Sequence, residues 1–188
     1  MLCEHVHKNE EGTFMPKIIE NIREKLLEEA KRQVSESGYS AMTIRSVATA
    51  CGVGTGTVYN YFPSKDMLVA SFMLEDWMIS MQTIEQGMEA AEDAKTALYC
   101  MYQALLAYKE KHKKLFADEN AEASYIASSS QRHHLLRAQL AEPLKTWTRK
   151  QDKVDAEFLA EFIAENMLTL TMAEKEFDVI ASVLLQLF

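Results

Sequence analysis

The sequence predicts an all-α protein, and three observations predict it. Gly and Pro are scarce, 6 and 3 in 188 residues, so few positions punctuate the chain. Ala, Leu, Met, Glu and Lys are plentiful, and these residues cost least in a helix. Apolar residues recur at three- and four-residue spacing, and no stretch alternates as a strand would. The 48% hydrophobic content suffices for a packed core and is too high for a disordered chain. The expected layout is a disordered tail over 1–15, a three-helix unit over 16–63 and a larger helical bundle over 64–188.

The first helix is expected after Pro16, a residue suited to a first turn. Its stripe is Ile18, Ile22, Leu26 and Ala30, flanked by Ile19, Leu27 and Val34. Gly38 should end it. Its charged residues Arg23, Lys25, Lys31 and Arg32 read mostly as a solvated face. Two short helices are expected between Thr43 and Phe62. Ser64 is placed to cap a long helix bearing Met67, Leu68, Phe72, Met73, Trp77, Ile79 and Met81. Ala94 to Lys111 forms another, with a polar end over Lys109–Lys114. Ala121 to about Lys150 reads as helical with a kink before Pro143. Two last helices carry the stripes Phe158, Leu159, Phe162, Ile163, Met167, Leu170 and Phe177, Ile180, Ala181, Leu184, Phe188.

Charge and cysteine usage narrow the classes. Three widely spaced cysteines, Cys3, Cys51 and Cys100, argue against a disulfide framework and for a reducing cytoplasm. Residues 1–30 hold no secretory signal, and no run of 18 apolar residues suggests a membrane span. Cys3, His5 and His7 have no fourth ligand nearby, so no metal site is expected there, and no cofactor elsewhere. The net charge is −8, which by itself disfavours a polyanionic partner. Its distribution reverses that reading locally. Residues 15–65 carry seven Lys/Arg against five Glu, whereas residues 66–188 carry twelve against twenty. A small basic head on an acidic body suits a protein that meets nucleic acid through the head.

The run from Thr43 to Phe62 explains why. Thr43 caps a short helix whose apolar face is Ile44, Val47, Ala48 and Cys51. Ala48 is small where two helices cross closely. Gly52 falls where the chain must turn with positive φ, and Val53 plugs the turn. Val58 and Phe62 return to the core on a second helix. This is a helix-turn-helix. Gly54 and Gly56 strip the start of the second helix of side chains, so its backbone N–H groups can approach a phosphate or the groove floor. Two such glycines cost roughly 1 kcal/mol each against Ala, which a hairpin built only for packing would avoid. In the major groove Asn60 can pair with adenine and Arg45 with guanine. Thr43, Tyr59, Tyr61 and Lys65 can hold phosphates and set the register.

Val47-Ala48, Cys51-Gly52-Val53, Gly56-Thr57-Val58-Tyr59, Tyr61-Phe62 and Ser64-Lys65-Asp66-Met67-Leu68, with Gly38-Tyr39 and Met42-Thr43-Ile44 before them, resemble the signature of TetR/AcrR transcriptional regulators. The resemblance covers residues 17–68. It implies an N-terminal three-helix DNA-binding domain and a C-terminal helical bundle for ligand binding and dimerisation. It also implies a homodimer on a palindromic double-stranded operator, acting as a repressor that a small ligand releases. Carried over residue by residue, the DNA contacts fall on Thr43, Arg45, Thr55, Gly56, Thr57, Tyr59, Asn60, Tyr61 and Lys65. Asn60 departs from the aromatic or His that many members place there, and the acidic tail replaces a basic arm found in some.

The body yields coarser expectations. Trp77, Met81, Tyr99, Tyr102, Phe116, Tyr125 and Trp147 are candidates to line a pocket for a small apolar or aromatic effector, in a chain with 11 Met able to adapt around it. Phe158, Phe162, Ile163, Phe177, Ile180, Leu184 and Phe188 are candidates for a dimer interface, since one helix-turn-helix reads only a half-site. Arg132, His133, His134 and Arg137 read as a solvated face rather than an anion site. No phosphate loop, nucleophile elbow or spaced metal set suggests an enzyme. The rival reading is a dimer of the same fold that has lost DNA binding and serves protein interaction, which the acidic body keeps open.

Overall fold

The computed structural model describes residues 21–121, 129–149 and 155–188. The expected tail, Pro16, Ile18, Ile19 and Tyr125 lie outside the described residues. Nine α-helices are described: α1 Ile22–Ser37, α2 Ile44–Ala50, α3 Thr55–Tyr61, α4 Lys65–Ala90, α5 Ala94–Lys111, α6 Lys113–Phe116, α7 Ser129–Thr148, α8 Ala156–Met172 and α9 Phe177–Leu184, with a 3-10 turn at Leu185–Leu187. No strand occurs among the described residues. No described helix is long and apolar enough to cross a membrane.

The helix ends follow from their capping residues. Thr43, Ser64 and Asp93 each accept a backbone N–H from the first turn of the helix they precede, at 3.0, 3.1 and 2.7 Å, satisfying donors that helix geometry orphans. Asp155 does the same for α8. α7 runs from Ser129 to Thr148 with Pro143 inside it.

Burial divides the chain into two cores. The first joins α1, α2 and α3 to the start of α4 through Leu26, Leu27, Ala30, Val47, Val58, Phe62, Leu68 and Phe72. The second joins the rest of α4 to α5, α7, α8 and α9 through Trp77, Ile84, Leu98, Met101, Leu105, Leu140, Leu144, Ile163 and Met167. Met73 packs against both. The change of unit, expected at residue 64, is therefore carried inside α4. Its first two turns fill the head and the remainder the body, so one continuous rod links them. Leu115 and Ala121, from beyond α5, also fill the head core.

Candidate nucleic-acid interface

The helix-turn-helix is built by α2 and α3. Thr43 and Ser46 form a reciprocal capping box: each side chain accepts the other's backbone N–H. Ser46 Oγ also donates to Gln33 Oε1 at 2.6 Å, pinning α2 to α1. Ile44, Val47, Ala48 and Val58 are buried, as the spacing required. Gly52 turns the chain at φ +69°, a conformation that strains any L side chain. Val53 then donates its N–H back to the Ala48 carbonyl at 2.9 Å and packs half-buried on the core.

The opposite side of the motif is open. Thr55, Gly56, Tyr59 and Asn60 recur at helical spacing and are exposed, as are Thr43, Arg45 and Tyr61; Thr57 and Lys65 are half-buried. Tyr59 and Tyr61 expose about half of their large rings, 52% and 45%, an unusual surface for a motif that only packs. A Cβ built on Gly54 or Gly56 meets nothing within 4 Å. Neither glycine has a positive φ. Nothing among the described residues requires them.

Electrostatics favour an anionic partner on the same side. Arg45 has no ion pair among the described residues. Three of the four cations on α1 are paired internally: Arg32 with Glu29 and Glu36, Arg23 with Glu75, and Lys31 with Asp76. Lys65 stands apart. Its ammonium lies 3.9 Å from the centre of the Tyr39 ring, and the Tyr39 hydroxyl donates to Asp66. Burial pulls the Lys65 pKa down, with Asp118 and Asp66 opposing it. Tyr39 therefore orients Lys65, a role the sequence reading did not assign. Cys51 sits beneath α2 with its thiol against the Lys25 carbonyl, and burial raises its pKa, so it is held out of thiolate chemistry.

The residues singled out in the body do not gather in one place. Trp77 is buried, edge-on to Tyr108, and donates to Gln139 at 2.6 Å. Met81 is buried in the same core. Tyr99 and Tyr102 instead pack on Phe177 of α9. Phe116 lies in α6, exposed, beside Tyr108 and His112. Trp147 is half-buried at the far end of α7. Of the interface candidates, Ile163, Ile180 and Leu184 are buried within the protomer, Phe177 and Phe188 are half-buried, and Phe158 and Phe162 are exposed. The exposed pair continues onto Val179 and Val183 of α9, 57% and 62% exposed. Those two valines, together with Phe162 and Leu170, line an apolar groove between α8 and α9. The valines were missed because a helical stripe in sequence does not say which edge of it the neighbouring helix will cover. His133 pairs with Glu165 at 2.9 Å, and Arg137 lies against His134, Glu161 and Glu165. Carboxylates thus already occupy that cluster.

Comparison with known proteins agrees with this geometry. Residues 26–72 match the sequence model of bacterial regulatory proteins of the tetR family. The HTH-type transcriptional regulator UidR of Escherichia coli K12 is 30% identical over 54 residues, covering 29% of this chain and 28% of UidR. The HTH-type transcriptional regulator YhgD of Bacillus subtilis is 32% identical over 109 residues, covering 54% of each chain. The matches thus span from about a quarter to about half of these relatives' lengths. In three dimensions, RolR without ligand superposes with a TM-score of 0.62 at 16% identity over 87% of this chain and 88% of its own. A TetR-family regulator from Streptomyces coelicolor gives 0.63 at 17% over 88% and 99%. These likenesses establish the fold over most of the chain, while the family match over residues 26–72 falls on the head and the first turns of α4. By sequence, residues 26–72 are a helix-turn-helix domain of the tetR family of bacterial regulatory proteins.

Proposed function

We propose that the protein is a cytoplasmic DNA-binding transcriptional regulator, acting as a homodimeric repressor on a palindromic operator. The observation that carries this reading is the open face of α3: Thr55, Gly56, Tyr59 and Asn60 are exposed over a buried Val58, and the two glycines at its start face nothing among the described residues. Asn60 and Arg45 read base edges, and Thr43, Thr55, Thr57, Tyr59, Tyr61 and Lys65 hold the backbone. The Thr43 hydroxyl accepts Ser46 N–H and keeps its own proton for a phosphate. Gly56 lets the backbone close on the groove. The word repressor leans on a relative, the HTH-type transcriptional repressor KstR of Rhodococcus jostii, 36% identical over 55 residues.

Dimerisation is supported by the exposed stripe of Phe158, Phe162, Val179 and Val183. Four large apolar side chains on adjacent helices are costly to leave in water, and a second copy of α8 and α9 across a two-fold axis would cover them as a four-helix interface. Ile163, Ile180 and Leu184 support that face from within. The body would receive a small apolar or aromatic effector. The side chains available to it are Trp77, Met81, Tyr102 and Trp147, which line or abut the second core.

The test is an anisotropy titration of the protein with DNA from upstream of its own gene. Binding that prefers that sequence over a scrambled one and weakens steeply with salt is expected. Binding indifferent to sequence, or none at low salt, would overturn the reading.

A further inference from the structure

Asp76 lies on α4 where the two cores meet, and only 3% of it is exposed. A carboxylate left alone there would be heavily penalised. Instead its Oδ1 accepts Lys31 Nζ at 2.5 Å and Lys111 Nζ at 2.8 Å. Lys31 belongs to α1 of the head, and Lys111 is the last residue of α5 in the body. His112 Nε2 lies 3.1 Å from the other oxygen. Burial pushes the Asp76 carboxyl up, but Lys111 and Lys31 outweigh burial and hold it below the usual range. Burial brings His112 down to about 4, so at neutral pH the ring is uncharged, stacked on Phe72 and tilted against Tyr108. One buried carboxylate is thus shared by an ammonium from each half of the molecule.

A plain apolar junction would hold the halves together at least as firmly, because desolvating charges offsets most of their attraction. What an ionic contact adds is a single register. A second set of contacts runs alongside it. Lys114 Nζ donates to the Glu36 carbonyl at 2.7 Å, and Asp118 accepts the backbone N–H and hydroxyl of Ser40, both at 2.8 Å. The stretch from Lys111 to Ala121 therefore grips the head independently of the continuous α4.

We propose that Asp76 is a positioning residue for DNA binding: it fixes the angle at which the body presents the helix-turn-helix, with Lys31 as the head's half of the contact and Lys111 as the body's. This rests on the DNA-binding reading above. A shift at the end of α5 reaches α1 through the shared carboxylate, and α1 is tied to α2 by the Gln33–Ser46 bond.

The test compares Lys31→Met with Lys25→Met, an exposed lysine on the same helix that removes the same charge, and with Lys31→Arg as rescue. Affinity for a DNA that the wild type binds is measured well below each variant's melting temperature, alongside hydrogen exchange of the free protein. Lys31→Met should lose about tenfold more affinity than Lys25→Met, and exchange should rise together in α1 and over residues 74–80 and 108–121. Lys31→Arg should recover most of the affinity. Equal affinities for the two methionine variants, with increased exchange confined to α1, would show a merely structural ion pair and overturn the proposal. If the wild type bound no DNA, the regulator reading would fail, and exchange confined to α1 would still refute the contact's reach into the body.

Discussion

Replacing Gly56 by Ala should make the protein more stable and worse at binding DNA. Gly56 lies in the first turn of α3, its φ is not positive, and an added Cβ meets nothing within 4 Å. The methyl group thus brings no clash or strain. It removes backbone freedom from the unfolded chain, which stabilises the fold by about 0.5–1 kcal/mol. For a chain of this size that is a rise of roughly 1–4 °C in melting temperature. Against DNA the same methyl stands in the space into which the groove or a phosphate must come. Losing one charge-assisted hydrogen bond costs about 1.5 kcal/mol, or roughly tenfold in Kd. Calorimetry and an anisotropy titration on the same preparation check both halves. A raised melting temperature with unchanged Kd would refute the claim that this glycine clears space for DNA.

Three further outcomes follow from the same geometry. Tyr61→Ala and Lys65→Ala should weaken binding nearly equally on all sequences, whereas Arg45→Ala should relax preference at one base pair; selection from a random library checks this, and unchanged preference in Arg45→Ala removes that residue from base reading. Phe162→Glu should leave the protomer folded, because the ring is 45% exposed, yet shift sedimentation from dimer to monomer; a dimer that persists moves the interface elsewhere. His112 is held at about 4 against an ordinary 6.5, so the unfolded chain takes up its proton first. Stability should therefore be fully present above about pH 6.5 and fall by roughly 3 kcal/mol as pH drops toward 4. His112→Phe should flatten that window in pH-dependent thermal melts, and an unchanged slope would assign it to other groups.

The head was largely legible in the sequence because its constraints are local. A cap three residues ahead of its partner, a glycine at the turn and apolar residues at helical spacing are all fixed within about twenty positions, and Thr43, Gly52, Val58 and Phe62 occupy the places that spacing assigned. The body was less legible because its logic is long-range. Phe158 and Ile163 share a stripe in sequence, yet one is exposed and the other buried, since only packing decides which edge of a stripe is covered. Gly87 drew no notice as a single glycine in a helix. In the fold an added Cβ there would come within 2.9 Å of Cys100 Cβ, so it is what lets α4 and α5 approach. Asp76 carries no local signal in the sequence, because its three partners come from distant positions. Tyr39 read as part of a resemblance, and only the fold put its ring under Lys65.

In the proposed complex the open face of α3 sits in a DNA groove. Methylation protection of guanine N7 in the bound upstream DNA tests it most directly, because that atom is reached only from the major groove. Protection is expected in two symmetry-related patches, about a helical turn or a multiple of it apart, and should be lost in an Asn60→Ala, Tyr59→Ala double variant that remains folded. Bound DNA with every guanine N7 still reactive, or protection unaltered by changes on α3, would contradict it.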